Sequence, residues 1–409
     1  MFVSDSPVSR SGSHAKCVIA GFILIGIAPQ IILSATRFKG LPIADYNSDV
    51  GFGFGMRAGI VRYQPEDSST YLFRIDGEYY MTTGGVLQPM MEYDIPVNKL
   101  RNNRALRLRG RLSFDRSLYV GYYGFGNDDR QMGFDASRRD DYYYTYKRST
   151  PGFFATGQYF FADPYSDGLK TSLFGGVTAE YCRIALSPRQ PSGGTSLLFE
   201  ERPPGINGGF IHAEMIGIII DSRDFYYNPK NGMYHELSFE GSLQQLGSAY
   251  TYLKTTLLSA LFVTPITHFD RLITAARFML VSLTGDPPFY KYEHIGGLTP
   301  HDLFGGRGTM RGIPQYRYKG RASIVFTPEL RFRVIDFPFL FKDIWHLEIV
   351  VFGDMGNTWR SWSDFSSQLH LTQGGGIRIA WGEDFIISAD CAFWNRELSG
   401  IYLYFGHQF

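Results

Sequence analysis

Hydrophobic and polar residues alternate along most of the chain from residue 50 to the end, and alternation with a period of two is typical of β-strands. The clearest case is 105–114, which has one apolar face and one arginine-rich face. The apolar face holds Leu106, Leu108, Gly110, Leu112 and Phe114, and the polar face holds Arg107, Arg109, Arg111 and Ser113. Because three arginines follow one another on one face, that face must be in contact with water.

About 16 such segments follow one another, from 51–60 to 401–409, and no amphipathic helix pattern stands between them. In this assignment a turn near Asp115 and Arg116 separates 105–114 from a further strand at 118–125. About 360 residues over 16 strands leave roughly 22 per strand and connection, enough for a tilted span of about 9–11 residues. The pattern predicts an all-β fold, a 16-stranded antiparallel transmembrane β-barrel, with the alternation of long and short connections that such barrels have.

The connections support the barrel over a soluble β-propeller or a large sandwich. The long connections 126–140, 187–209 and 285–320 would all lie on one side of a barrel. Neither soluble alternative explains a continuous apolar face opposite an arginine-rich one.

The first 50 residues predict a leader and a short connection to the barrel. Residues 17–35 form an apolar run that follows Arg10 and Lys16 and ends on small residues. This indicates a secretory signal peptide over 1–35 with cleavage near Ala35. The alternative is a membrane anchor, but Pro29 shortens the apolar part below what a span needs. Residues 36–49 are predicted to be a short polar linker, which leaves no room for a periplasmic domain before the barrel at 50–409.

Composition narrows the function classes. The net charge of +1 gives no reason to expect a nucleic-acid partner. Aromatic residues make up 16% and charged residues 19%, which fits a membrane barrel with aromatic girdles better than a soluble enzyme. The three Cys and nine His lack metal-ligand spacing, and no nucleophile elbow or phosphate-binding loop occurs. We therefore predict no catalytic residues, no metal and no cofactor, and a protein that is not an enzyme.

One stretch does not fit the strand pattern. Residues 305–312 read Gly-Gly-Arg-Gly-Thr-Met-Arg-Gly, which is too polar and glycine-rich for a strand or helix interior. It lies in a connection of about 35 residues, and a connection of that length is usually functional or disordered. We predict that this connection folds into the barrel lumen and that Arg311 pairs with acidic groups on the wall.

Four segments together resemble the BamA/TamA superfamily of bacterial surface-antigen barrels. They are Asp221–Asp224 with the following Pro229 and Gly232, the loop motif at 305–313, Phe352–Trp359, and Tyr402–Phe409. The resemblance implies a barrel in the outer-membrane lipid bilayer of a Gram-negative bacterium. It further implies a role in outer-membrane protein assembly or translocation, with unfolded barrel clients as partners. Assembly factors of the family carry N-terminal polypeptide-transport-associated domains, which this chain is expected to lack and which a periplasmic partner protein would then supply.

The resemblance also implies a site. In the family the counterpart of Arg311 lies in the lumen and pairs with acids, and Glu329 and Asp354 match those acids by motif position. Glu329 also falls on the polar face of its own strand. Arg311, Gly312, Glu329 and Asp354 are therefore predicted to form a lumen-loop latch. Two interpretations stay open: a latch that sets the shape of the barrel, or contacts that only fill and stabilise it.

A second predicted feature is the seam at which the barrel closes, between 51–60 and 400–409. Gly53 and Gly55 on one side, with Phe405 and Phe409 on the other, would give a junction with few side-chain contacts. The functional interpretation is a gate that templates a client strand by edge pairing. The alternative is that the glycines only relieve crowding in the lumen. Two other functions also stay open, a channel or structural barrel that passes small anionic solutes and a membrane subunit of a larger complex.

Overall fold

The computed structural model of the chain describes residues 31–33, 36–63, 71–100, 104–128, 142–162, 164, 168–190, 194–226, 228–266, 271–299, 301–339, 343–361, 368–381 and 385–409. Of the predicted signal peptide, 1–30 and 34–35 lie outside the described residues. Its residues Ile31–Leu33 form a short strand that pairs with Thr36–Phe38.

Seventeen strands make up a single sheet. In chain order they are β1 Ile31–Leu33, β2 Thr36–Asn47, β3 Gly51–Tyr63, β4 Tyr71–Thr82, β5 Val86–Leu100, β6 Arg104–Gly121, β7 Thr145–Phe160, β8 Lys170–Leu186, β9 Gly209–Asp221, β10 Gly232–Ser242, β11 Tyr252–Val263, β12 Leu272–Gly285, β13 Ala322–Phe339, β14 Asp343–Trp359, β15 His370–Trp381, β16 Phe385–Trp394 and β17 Glu397–Phe405. The helical segments are the α-helix Leu197–Glu201 and the 3₁₀ turns Gln244–Leu246 and Phe289–Tyr292. None of the described helices is long and apolar enough to cross a membrane.

Strands β2 to β17 form a closed antiparallel barrel of 16 strands, which confirms the predicted fold class. Each strand pairs with its neighbours in sequence, and β17 returns to pair with β2. The long connections after β6, β8 and β12 leave the same end of the barrel, as predicted, and the chain termini lie at the other end. In bacterial barrels the long loops are extracellular and the short turns periplasmic, which orients this one.

The strand count is right because two errors in the sequence assignment cancel. Residues 36–49 are not a linker, because Thr36–Asn47 pair with β3 along their whole length. Pro42 conceals this strand in the sequence, since proline is tolerated only at a sheet edge or bulge. The turn predicted near Asp115 and Arg116 does not exist. Both residues lie inside β6 and pair with Thr150 and Ser149 of β7, so the two predicted strands are one long strand.

Side chains alternate between the lipid and the lumen. On β13, Leu330 is 51% exposed on the outer face while Glu329 and Arg331 are fully buried inside. On β6, Leu108 and Leu112 are exposed on the outer face, and Arg107, Arg109 and Arg111 line an internal cavity. The arginine-rich face is therefore wet, as predicted, because it faces the lumen.

Candidate functional site

The connection between β12 and β13, residues 286–321 and hereafter the lumen loop, packs inside the barrel. Its apolar side chains join wall residues of β12 and β13 in one buried cluster. The loop members of that cluster are Tyr292, Ile295, Leu303, Phe304, Met310, Ile313 and Tyr318. This buried apolar surface holds the loop in place and excludes water from the polar groups beside it.

Arg311 lies at the centre of these polar groups and is fully buried. Its Nε and Nη2 donate to the two carboxylate oxygens of Asp354, both at 2.9 Å, and its backbone N–H donates to the same group at 3.0 Å. Nη1 donates to Glu329 at 2.8 Å and to Asp390 at 3.2 Å. The guanidinium also stacks on the Phe352 ring, 3.3 Å from its centroid. The structure thus brings Arg311 together with both predicted acids and adds a third.

Burial alone would lower the pKa of Arg311. The negative charges of Asp354 and Glu329 outweigh that effect, so the pKa lies well above its ordinary value and the guanidinium stays charged.

The three carboxylates have further cationic partners on the wall. Arg331 Nε donates to Glu329 at 2.9 Å. Arg378 donates to both oxygens of Asp390, and the Tyr404 hydroxyl donates to Asp390 at 2.8 Å. Three arginines and three carboxylates therefore neutralise one another in a buried cluster, which is the condition under which such charges are tolerated away from water.

Gly312 connects the loop to the closing strand. Its backbone N–H donates to the Tyr402 hydroxyl of β17 at 2.9 Å. Its φ is +92°, a conformation that favours glycine, and a Cβ there would press on Ser399 Oγ and Ala392. A glycine is therefore required both for the turn and for the close approach to β16 and β17.

A second ionic anchor holds the two ends of the loop. Buried Glu293 accepts from Arg148 of β7 and from the Tyr146 hydroxyl, and Lys319 Nζ lies 3.3 Å from its carboxylate. Burial acts to raise the pKa of Glu293. The positive charges of Arg148, Lys319 and His294 outweigh it and hold the pKa below the ordinary 4.5. This anchor escaped sequence analysis because its members are far apart in the chain.

The barrel closes through a short junction. Among the described residues, β17 and β2 are paired only at Tyr402–Asn47 and Leu403–Tyr46, beside the extracellular turn. Every other neighbouring pair of barrel strands is paired over at least eight residues. Toward the periplasm the facing edges of β2 and β17 are not paired with each other in the part of the chain that the structure describes, and the short strand β1 pairs with Thr36–Phe38 at the start of that edge of β2.

After β17 the chain turns into the lumen. Gly406 has a φ of +86° and starts the turn. The Gln408 side chain then donates to the backbone carbonyls of Arg307 at 3.1 Å and Thr309 at 2.8 Å in the lumen loop. The guanidinium carbon of Arg277 lies over the Phe409 ring, 4.7 Å from the ring centroid. The tail is therefore bonded to the loop rather than to β2.

The predicted seam residues need correction. Gly53 and Gly55 lie in β3, the second barrel strand, because β2 stands between them and β17. A Cβ at Gly53 would overlap Asp45 and Tyr80, whose side chains are hydrogen-bonded at 2.8 Å across it. Phe405 belongs to β17 but pairs with Ile387 of β16, and Phe409 lies in the lumen.

Sequence reasoning missed several members of the site. Asp390 was detectable in principle, because it is a lone carboxylate in an alternating apolar strand. Arg378, Tyr402 and Tyr404 also lie on the inward faces of strands whose outward faces are apolar. The sequence carried no signal that Gln408 reaches the loop.

Comparison with known proteins finds a family match over part of the chain. The model of the Omp85 superfamily domain matches residues 214–389. This match runs from within β9 to the middle of β16 and includes Arg311, Glu329 and Asp354, whereas Asp390 lies one residue beyond it. No curated protein sequence matches the chain.

Solved structures of outer-membrane barrels share the fold. BamA from Haemophilus ducreyi, solved without its POTRA domains 1–3, is 15% identical with a TM-score of 0.54, over 91% of this chain and 69% of that one. CdiB from Acinetobacter baumannii is 12% identical with a TM-score of 0.52, over 92% of this chain and 60% of that one. CdiB from Escherichia coli is 11% identical with a TM-score of 0.53, over 92% of this chain and 63% of that one. The chain thus spans less than two thirds of either CdiB structure, and at these identities the likeness concerns the fold alone.

Proposed function

We propose that the chain is an Omp85-superfamily β-barrel of the Gram-negative outer membrane and that it takes part in outer-membrane protein assembly or translocation. The proposed role is non-enzymatic. The barrel would act by opening between β17 and β2 and presenting a strand edge within the bilayer.

The observation that carries this proposal is the short junction. Two residue pairs join β17 to β2, whereas the other barrel junctions have at least eight. An unpaired edge in a membrane is costly because its N–H and C=O groups have no water to bond. A client strand that pairs with the edge of β2 would satisfy those groups, and edge pairing is a recurrent mode of peptide recognition.

We propose that the lumen loop governs this opening. The loop bonds to β17 through Gly312 and Tyr402, and to the tail after β17 through Gln408. Arg311 fixes the loop to β13, β14 and β16 through its three carboxylates. With the loop docked, β17 is tethered to the interior wall, so withdrawal of the loop would free β17 to move. In this proposal the latch of Arg311, Gly312, Glu329 and Asp354 controls the opening of the barrel, in addition to filling and stabilising the lumen.

The docked loop weighs against the channel alternative. Buried residues of the loop occupy the lumen from Phe289 to Tyr318 and pack against the wall. A solute could pass through that part of the barrel only if the loop left its position. The assembly role needs no open lumen, and we favour it for that reason.

A disulfide across the true junction tests the proposal. Tyr46→Cys with Leu403→Cys joins paired positions of β2 and β17, in a background in which all three native cysteines are replaced by serine. Under oxidation we expect reduced growth and reduced levels of outer-membrane proteins in cells that depend on this chain. Both should recover when reductant is added.

The matched control is Leu257→Cys with Leu280→Cys, which links paired residues of the continuous β11–β12 junction. This crosslink should be neutral. An efficient crosslink between positions 46 and 403 without any effect on growth or protein levels would contradict an opening seam. An equal effect from the control crosslink would mean that stiffening of the barrel, and not closure of the seam, is responsible.

A further inference from the structure

The lumen contains a second polar region, at the periplasmic end below the loop. A cavity of about 550 Å³ lies there, which is within the range of small-molecule sites. Hereafter called the vestibule, it is lined by the lumen faces of β4 to β9, the start of β10, and the loop residues Leu298 and Thr299. None of the latch residues lines it.

Most of the cations that line the vestibule are neutralised in pairs. Each of four arginines has a carboxylate within 2.9 Å. The pairs are Arg74–Asp76, Arg107–Asp94, Arg111–Glu92 and Arg223–Asp221. The remaining lining carboxylate, Asp224, accepts backbone N–H groups of its own turn, from Phe225 and Lys230. Each carboxylate that lines the vestibule therefore already has an ion pair or hydrogen-bond donors.

Arg109 forms no direct ion pair with any of the described residues, although the carboxylates of Glu236 and Asp94 attract it at longer range. Among the described residues its guanidinium has a single polar partner, the neutral side-chain oxygen of Gln158 at 2.7 Å, and its Nε is buried with no hydrogen-bond partner. Asp94 stands directly opposite on β5, but its carboxylate accepts from Arg107 and the Tyr71 hydroxyl instead. A partly buried cation with unused donors is costly unless an anion accompanies it.

The surroundings of Arg109 are built to hold it in place. Gln158 donates in turn to Ser172 at 2.9 Å, so the amide that contacts Arg109 is fixed from both sides. Lys170 lines the same cavity on β8 and has no ion pair among the residues described. Glu236, on the wall beside the vestibule, is occupied by the Tyr234 hydroxyl and the Leu298 backbone N–H. Arg109 and Lys170 therefore share the cavity without a direct ion pair to any described residue.

We propose that the vestibule is a binding site for an oxyanion of the phosphate type, with Arg109 as its main ligand and Lys170 as a second donor. A guanidinium offers several N–H groups in a fixed fork that matches the oxygens of phosphate. The apolar side chains of Phe160 and Ile219 in the same lining suit an organic group attached to the phosphate. The site opens toward the periplasm, so either free phosphate or a phospholipid head group could supply the anion. The inference stands apart from the seam, because a barrel that never opens could still bind an anion here.

Titration calorimetry with inorganic phosphate on the purified full chain in detergent tests the site, with chloride exchanged for phosphate at constant ionic strength. We expect saturable binding that Arg109→Gln weakens by about tenfold or more, the loss of one charge-assisted contact. The matched control is Arg183→Gln, which removes an exposed arginine of β8 that does not line the vestibule, and it should bind phosphate like the unmodified chain. If Arg109→Gln does not fold, preferential thermal stabilisation of the unmodified barrel by phosphate over chloride gives the same answer.

A short-chain phosphatidylglycerol added to the titration separates the two sources. Competition with phosphate for the site identifies a lipid head group, and lack of competition identifies the free ion. Absence of saturable phosphate binding by the unmodified chain would overturn the proposal. Phosphate binding that is as strong in Arg109→Gln as in the unmodified chain, or as weak in Arg183→Gln as in Arg109→Gln, would also overturn it.

Discussion

Replacement of Arg311 by methionine gives the sharpest test of the loop latch. Methionine is similar in length and apolar, so the change removes the charge while leaving much of the volume. It deletes four side-chain hydrogen bonds, two to Asp354 and one each to Glu329 and Asp390. It also removes the stack on Phe352.

The size of the effect follows from the charges that remain. Asp354 would then lose its only ion pair among the described residues, while Arg331 and Arg378 stay paired with Glu329 and Asp390. Breaking a buried ion pair by removing one partner costs about 3–5 kcal/mol. The docked loop would carry most of this cost, because undocking lets water reach the acids. Since about 1.4 kcal/mol is a factor of ten, the undocked fraction should rise at least about a hundredfold.

Cysteine accessibility can measure that fraction. Thr309, two residues from Arg311, is fully buried in the docked loop. With Thr309→Cys in the background free of native cysteines, a water-soluble maleimide should react only when the loop undocks. The labelling rate in folded barrels should therefore rise by about the same factor in Arg311→Met, provided that the loop exchanges faster than the label reacts.

Arg307→Met is the matched control. Arg307 lies in the same loop and its guanidinium stacks on Tyr404, but it has no carboxylate partner among the described residues. It should change the labelling rate several-fold at most, the scale of an exposed cation–π contact of about 0.5–1 kcal/mol. If Arg311→Met leaves a folded barrel that labels as slowly as the Arg307 variant, the ion cluster does not hold the loop.

Two further outcomes are expected. Gly53→Ala should lower the free energy of unfolding by about 1–3 kcal/mol, because the added methyl group separates the hydrogen-bonded side chains of Asp45 and Tyr80. The loss of stability can be measured by heat-dependent migration of the barrel in gel electrophoresis. Acidification should loosen the loop through Glu293: its folded pKa lies below 4.5, so its stabilisation is present above that value and is lost as the pH falls through the folded pKa. The maleimide labelling rate of the Thr309→Cys variant, divided by that of a fully exposed cysteine at the same pH, should accordingly rise below about pH 4.5.

Matched variants check both outcomes. Gly77→Ala in the neighbouring strand meets nothing closer than the Ala58 carbonyl at 3.9 Å, so it should leave stability nearly unchanged. Equal stability losses for Gly53→Ala and Gly77→Ala would contradict the crowding argument. Glu293→Gln should label faster at neutral pH and lose the acid-dependent step. Persistence of that step would assign it to another group.

The alternation of residue types predicted the all-β barrel and which face of most strands points to the lumen. These properties are local, because a strand repeats every two residues and a transmembrane wall separates lipid from water with the same period. The motif positions likewise singled out Arg311, Glu329 and Asp354, which the structure brings into contact. Glu329 could be found from its strand face alone.

Tertiary structure decided what depends on register and closure. Whether Thr36–Asn47 is a strand, and whether Gly53 lies at the seam, depends on which edge β17 meets, and no local pattern states that. Asp390 joins Arg311 from 79 residues away, and Gln408 reaches the loop from the far side of the lumen. The surroundings of Arg109 also depended on the tertiary structure, because the sequence predicted only that its face of β6 contacts water. Arg109 lacks a direct ion pair because the cross-strand geometry brings the Asp94 carboxylate to Arg107 instead. Periodicity is a property of one strand, whereas pairing of charges across a lumen is a property of the closed barrel.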